Sequence, residues 1–444
     1  MGTRHTGALA LMAQQHGVVH VIYCQSFTIN ANHKEHRENK KSLRKEIHCM
    51  EITASKRLQS IGAYAFAEVD KEVEKLKSMG ITPIDFGVGD PTVPTPEIVR
   101  KATQKGITLH KSSGYPSYIG APEFRQAIGQ WIQKRFGVQM DPATEISSTI
   151  GSKEAVFNFP EGLVNPGDYV IIPSPGYPPY TRGTLFAEGI PYYVPLLAEN
   201  KFLIDLKSIP EEVCRKAKIF WVNYPNSPTG ATAPLSYLKE IVEFGEKYNI
   251  IIASDEAYSE IYFNEPPHSI LEVTREGVIV FNSFSKRSAM TCYRVGWVAG
   301  DKRMVDIFKK VKTNVDSGTA TFIQDGAIAA LSDEIHVEKM KAEYKIKRDL
   351  LVEAFKRIKL PDCTPEATIY LWQKVPQGMT SVGFAQRLLS PEIAIVTTPG
   401  AWIGDTTENG LNPGEGYVRF ALVPSVKNTR EAARRIKKIL PKVL

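Results

Sequence analysis

Cysteine is scarce in this chain. There are five in 444 residues, Cys24, Cys49, Cys214, Cys292 and Cys363, with no CxxC pair among them. Such spacing excludes a disulfide framework, argues against a structural zinc site and fits a reducing cytoplasm, the expected location. Long apolar runs are also missing. The best candidate, GALALMAQQHGVVHVIYC, is broken by Gln14, Gln15 and His16, so neither a secretory signal nor a membrane partner is expected. Charge of one sign is nearly absent from the body: residues 50–444 hold 48 basic against 45 acidic side chains, while residues 1–49 hold seven against three. No basic stripe with interleaved aromatics occurs, which removes support for a nucleic-acid partner. Six of the nine histidines fall in residues 1–49 at spacings that match no ligand pattern, so no metal is expected there. That segment has little hydrophobic periodicity and reads as a disordered extension.

What is present from Met50 onward is an alternation of apolar runs with amphipathic stretches, the pattern of an α/β protein with a mainly parallel sheet. EFRQAIGQWIQKRF sets Phe124, Ile128, Trp131, Ile132 and Phe136 on one helical face, and LSYLKEIVEFGEKY does the same with Leu235, Leu238, Ile241 and Val242. These stripes are core. From about Asp333 the chain changes to a long charged helix, then short strands and the loop TTENGLNPGEG, which predicts a second, smaller α+β domain.

The most informative stretch is SFSKRSAMTCYRVGWVAGD, which follows the apolar run GVIVFN. It puts Lys286 just beyond a buried strand and Arg294 eight residues later. An amine on a flexible stem in a dry pocket can condense with an aldehyde, and a guanidinium can grip a phosphate through two parallel hydrogen bonds. The aldehyde that carries a phosphate is pyridoxal 5′-phosphate (PLP). Other motifs stand in compatible order. IGSKEAVFNF opens a helix at Gly151, Ser152 and Lys153, so backbone N–H groups and the helix dipole face an anion. PSPGYPPY offers Tyr177 as a ring against a flat cofactor. WVNYPNSPTG holds Asn226 and Ser227 in a rigid turn beside a strand end. NIIIASDEAY ends an aliphatic strand on Asp255, a carboxylate that is costly to bury without a cation, which a protonated pyridine nitrogen would supply. Tyr258, three residues on, can hydrogen-bond the phenolic oxygen.

From about Met50 to the C-terminus, these motifs resemble the class I/II aminotransferases of the aspartate aminotransferase superfamily, fold type I. The resemblance implies phosphate contacts from Gly151, Ser152, Lys153, Ser283 and Arg294, and a substrate α-carboxylate clamp at Arg419 in YVRFALVPS, assisted by Gly89 in FGVGDPTVPTPE. It further implies a homodimer with shared sites, in which Tyr115 of SSGYPSYIG reaches the neighbour's phosphate. Residues 50–95 would join the small domain formed by residues 333–444, while residues 96–332 would hold the cofactor. MEITASKRLQ resembles a family N-terminus, which makes Met50 the expected natural start. Two departures stand out: the residue before Pro228 is Ser227 where the family has asparagine, leaving either Asn226 or Ser227 to meet the cofactor, and Cys292 replaces a common glycine.

The implied activity is transamination between an L-amino acid and a 2-oxo acid. Glutamate with 2-oxoglutarate is the expected pair, and aspartate or LL-diaminopimelate a possible partner, because EISSTIGSKEAVFNF and SPGYPPYTRGTLFAEG are similar to bacterial and archaeal LL-diaminopimelate or aspartate aminotransferases. A carbon–sulfur lyase or synthase on the same scaffold would share every cofactor residue. A PLP-domain transcriptional regulator would need a helix-turn-helix domain, for which residues 1–49 are too short.

Overall fold

Five apolar runs in this chain end on small or polar residues, and in the computed structural model each forms one strand of a single seven-stranded sheet. The structure describes residues 14–15, 18–19, 52–61 and 67–443. The expected disordered extension, 1–49, otherwise lies outside the described residues. The chain divides into two compact units, 1–63 and 64–444. In the first, Gln14–Gln15 pairs antiparallel with Val18–Val19, and Ser55 caps a short helix, Lys56–Gln59, by accepting from the Leu58 amide.

In the second unit the sheet runs Ile146–Thr149, Gly296–Gly300, Val278–Ser283, Ile251–Asp255, Ala217–Asn223, Tyr169–Ser174 and Ile190–Pro195. Gly296–Gly300 is antiparallel to both its neighbours, and the other pairings are parallel. This is the expected mainly parallel α/β architecture. Its inner strands bury both faces, as continuous aliphatic runs require. Phe220, Val222, Ile252 and Val280 enter one core, and Ile219, Trp221, Ala253, Ile279 and Phe281 the other, a strict alternation along each strand. The two stripes read from sequence lie on helices Pro122–Phe136 and Leu235–Tyr248. Phe124, Ile128, Trp131, Ile132, Leu238, Ile241 and Val242 are buried there.

Another sheet joins Tyr370–Lys374, Tyr417–Ala421 and Thr398–Pro399, all antiparallel. Early in the chain, Ile84–Asp85 pairs in parallel with Ile395–Val396. The Ala421 amide then donates to Phe86 O at 2.8 Å, which lays residues 86–89 alongside the strand that carries Arg419. Helix Ile335–Arg357 covers this region, and Phe86, Leu371, Phe420, Leu351 and Phe355 share its core. No helix among the described residues is long and apolar enough to cross a membrane.

Candidate active site

Because six strands of the large sheet point the same way, their carboxyl ends deliver loops to one edge, where ligands of open α/β sheets bind. Thr149 leads into Gly151 and Ser152, Ser174 into Tyr177, Asn223 into the 224–230 turn, Asp255 into Tyr258, and Ser283 into Lys286. Gly296–Gly300 runs the other way, so Arg294, just before it, lies at the same edge.

Asp255 is only 5 % exposed. Its Oδ2 accepts from Tyr180 Oη at 2.7 Å and its Oδ1 from the Ala257 amide at 3.1 Å, while Asn223 Nδ2 donates to its backbone carbonyl at 2.9 Å. Burial pushes this carboxyl above the usual range, and the Tyr180 and Ala257 hydrogen bonds oppose it. Among the described residues, no Lys, Arg or His side chain forms an ion pair with Asp255. A buried carboxylate left without a cation fits a group that brings a positive charge, as a protonated pyridine does. Lys286 Nζ donates to Gly89 O at 2.5 Å and sits 6.0 Å from the centre of the Tyr258 ring.

At the phosphate end Gly151 has φ +70°, and a Cβ there would fall on the Arg294 guanidinium. Only glycine leaves that space open. Arg294 itself has φ +52°, an uncommon conformation for a side chain of its size, and donates to Thr291 O at 2.7 Å and, at 3.5 Å, to Ser285 Oγ. The Ser283 hydroxyl accepts from the Ser285 amide at 3.2 Å. Tyr177 packs edge-on against Tyr180, with centroids 5.8 Å apart. Burial pushes its phenol well up, reinforced by Asp255 and Tyr370 and opposed by Arg294. Arg419 Nη2 donates to Gly87 O at 2.9 Å, and its Nε is buried without a partner.

Three expected residues are placed differently from the rest. Asn226 is committed to its own turn, accepting from Thr229 Oγ1 at 2.7 Å and from the Thr229 amide at 3.1 Å, whereas the Ser227 side chain acts on the Tyr370 phenol. Lys153 is exposed on its helix. Tyr115 is 86 % exposed. The structure also adds residues that the motifs did not single out. Tyr180 lies in the same PGYPPY segment as Tyr177 and could have been found there. Tyr370 has no sequence signal beyond its place in an apolar strand.

A mainly parallel sheet that brings a lysine, a buried carboxylate without a cationic partner and a glycine turn packed on an arginine to one edge has the groups that an enzyme of amino-group chemistry needs. The family model described as "Aminotransferase class I and II" matches residues 81–436, and the chain belongs to that family, which is PLP-dependent. It is 46% identical over 389 residues to an LL-diaminopimelate aminotransferase of Aquifex aeolicus, covering 87% of this chain and 98% of the relative. It is 43% identical over 387 residues to LL-diaminopimelate aminotransferase 2 of Trichormus variabilis, covering 86% and 97%. Among solved structures, a double mutant of Thermus thermophilus aspartate aminotransferase superposes with a TM-score of 0.81 at 27% identity, covering 88% of this chain and all of that one. The chain is therefore an aminotransferase of fold type I.

Proposed function

We propose that this chain is a PLP-dependent LL-diaminopimelate aminotransferase that uses 2-oxoglutarate and glutamate as the second pair and works as a cytoplasmic homodimer. The observation that carries the cofactor reading is the buried, cation-free Asp255 at the same sheet edge as the Lys286 amine. The LL-diaminopimelate relatives, which the chain covers almost end to end, support the substrate. In this reading residues 96–332 hold the cofactor, and residues 50–95 with 333–444 form the small domain, supported by the pairing of Ile84–Asp85 with Ile395–Val396.

When bound, PLP supplies an electron sink for the pair left as a substrate Cα–H bond breaks. The chain's residues do the rest. Lys286 would hold the cofactor's aldehyde end, and its amine would serve as the base for the Cα proton. Asp255 keeps the pyridine nitrogen protonated, Tyr177 packs on the ring, and Tyr258 donates to the phenolic oxygen. Gly151, Ser152, Lys153, Ser283 and Arg294 hold the phosphate. Arg419, with the Gly89 segment beside it, grips the α-carboxylate and so aligns the reacting bond. Of the two turn residues, Asn226 accepts twice from Thr229 within the turn, which favours Ser227 as the one that would meet the cofactor. The exposed Tyr115 ring suits a homodimer in which it reaches the neighbouring site.

The test is a half-reaction panel in which holoprotein meets one amino acid at a time and cofactor absorbance and released oxo acid are followed. LL-diaminopimelate and glutamate are expected to react fastest, each yielding one equivalent of oxo acid. Reaction with aspartate but not LL-diaminopimelate would replace the substrate, and sulfide or ammonia release without amine transfer would establish the lyase reading instead.

A further inference from the structure

Tyr370 is a buried phenol to which neither the motifs nor the family likeness gives a role, and it touches Tyr258, Arg419 and the backbone at Gly89. Its hydroxyl lies 3.0 Å from that of Tyr258, with the rings edge-on at 5.7 Å. Its ring carries the Arg419 guanidinium, whose carbon sits 4.7 Å from the centroid. This contact is diagonal across the ladder: Tyr370 pairs with Ala421 and Trp372 with Arg419. A Cβ on Gly89 would collide with the Tyr370 hydroxyl, so a glycine there is what lets the phenol seat against the segment whose carbonyl receives Lys286.

We propose that Tyr370 is a positioning residue that donates its hydroxyl proton to Tyr258, leaving the Tyr258 proton free for the cofactor's phenolic oxygen, while its ring holds the Arg419 clamp in place. The inference rests on the PLP reading of the site. The direction of donation follows from the role proposed for Tyr258: a phenol whose proton goes to the cofactor oxygen can take part in the 3.0 Å contact with Tyr370 only as the acceptor, so Tyr370 donates. The Arg419 guanidinium over the Tyr370 ring holds the ring in place for this contact. A phenol that accepts in this way becomes a stronger donor itself. It then draws more charge from the phenolic oxygen, which weakens that oxygen's hold on the proton it shares with the Lys286 nitrogen. One side chain thereby couples proton affinity at Lys286 to the grip on the substrate.

The experiment titrates the visible absorbance of the PLP-loaded protein against pH in the parent, Tyr370→Phe, Tyr258→Phe and the double variant, and measures amino-acid KM alongside. Tyr370→Phe is expected to move the midpoint to higher pH by about half to one unit, roughly a three- to tenfold tighter proton. Its KM should stay within about twofold, because the ring still lies under Arg419. Tyr370→Leu, which also removes the ring, should raise KM roughly three- to tenfold. In the Tyr258→Phe background the Tyr370→Phe change should add no further shift, since it acts through Tyr258. Tyr237→Phe deletes a buried hydroxyl that donates to Ile204 O in a different core and should lower the melting temperature without moving the midpoint. An unmoved midpoint in Tyr370→Phe with its absorbance band and melting temperature intact would overturn the proposal. So would an equal shift in Tyr237→Phe, or a parental KM in Tyr370→Leu. A parent that develops no visible band with PLP would overturn the cofactor reading itself, and the relay with it.

Discussion

The two sides of the site are built by different means. The sheet-edge side, with Asp255, Ser283 and Lys286, stands on adjacent parallel strands whose ladder fixes each residue against the next: Asn223 pairs with Asp255, and Asp255 with Phe281. The substrate side is assembled from Gly87, Tyr370, Thr398 and Arg419, and its Arg419–Gly87 bond joins residues 332 positions apart. In the proposed reading, cofactor chemistry thus has one support and substrate recognition another. Damage to the first should appear in turnover and cofactor binding, and damage to the second in KM.

The largest break in that comparison is Lys286→Ala. It is expected to lower turnover by about 10⁴-fold or more while leaving the fold and part of the cofactor affinity, because anchor and base are lost together and the phosphate cradle is not. A coupled transamination assay with circular dichroism checks it. Asp255→Ala comes next, with proton abstraction slowed about 10²-fold or more and weaker PLP binding, measured by single-turnover kinetics and equilibrium dialysis. A rate within a few-fold of the parent would remove the carboxylate from the mechanism. Arg419→Leu tests the other side. It should raise KM roughly 10- to 100-fold for all amino acids alike, since the α-carboxylate is common to them, and an effect confined to dicarboxylic substrates would assign the arginine to side-chain recognition.

The smallest expected effect separates structure from chemistry within the sheet-edge side. Glu256 adjoins Asp255 but turns into the core, where its Oε1 accepts from Ser254 Oγ and the Ile270 amide, both at 3.0 Å, and its Oε2 has no partner. Burial pushes its carboxyl up to about 7. The folded chain therefore holds this proton more tightly than the unfolded chain, whose glutamates titrate near about 4.3. Its contribution to stability is full below that lower value and is lost as pH rises to about 7. Glu256→Gln should accordingly raise the melting temperature by about 2–4 °C at pH 8 and change it little at pH 5, as read by calorimetry. An equal change at both pH values would contradict the assignment.

Legibility in the sequence followed the same division. The places of Asp255, Lys286 and Tyr177 at the sheet edge were readable because each sits within a few residues of an apolar strand end. The mainly parallel sheet was readable from uninterrupted aliphatic runs such as NIIIAS and GVIVFN separated by helical stripes. Tyr370 was not, because it joins the site only when Tyr370–Lys374 pairs with Tyr417–Ala421, and nothing in YLWQK distinguishes that ring from ordinary core. The choice between Asn226 and Ser227 was also hidden, since it depends on which side chain the turn uses to satisfy the amide and hydroxyl of Thr229.

The account turns on Lys286 as the residue that meets the aldehyde. Loading the protein with PLP, reducing it with borohydride and mapping the added mass by peptide mass spectrometry tests this directly. The expected result is one modified site per chain, on the peptide containing Lys286. Modification at Lys153 or at any other lysine with Lys286 untouched would contradict it.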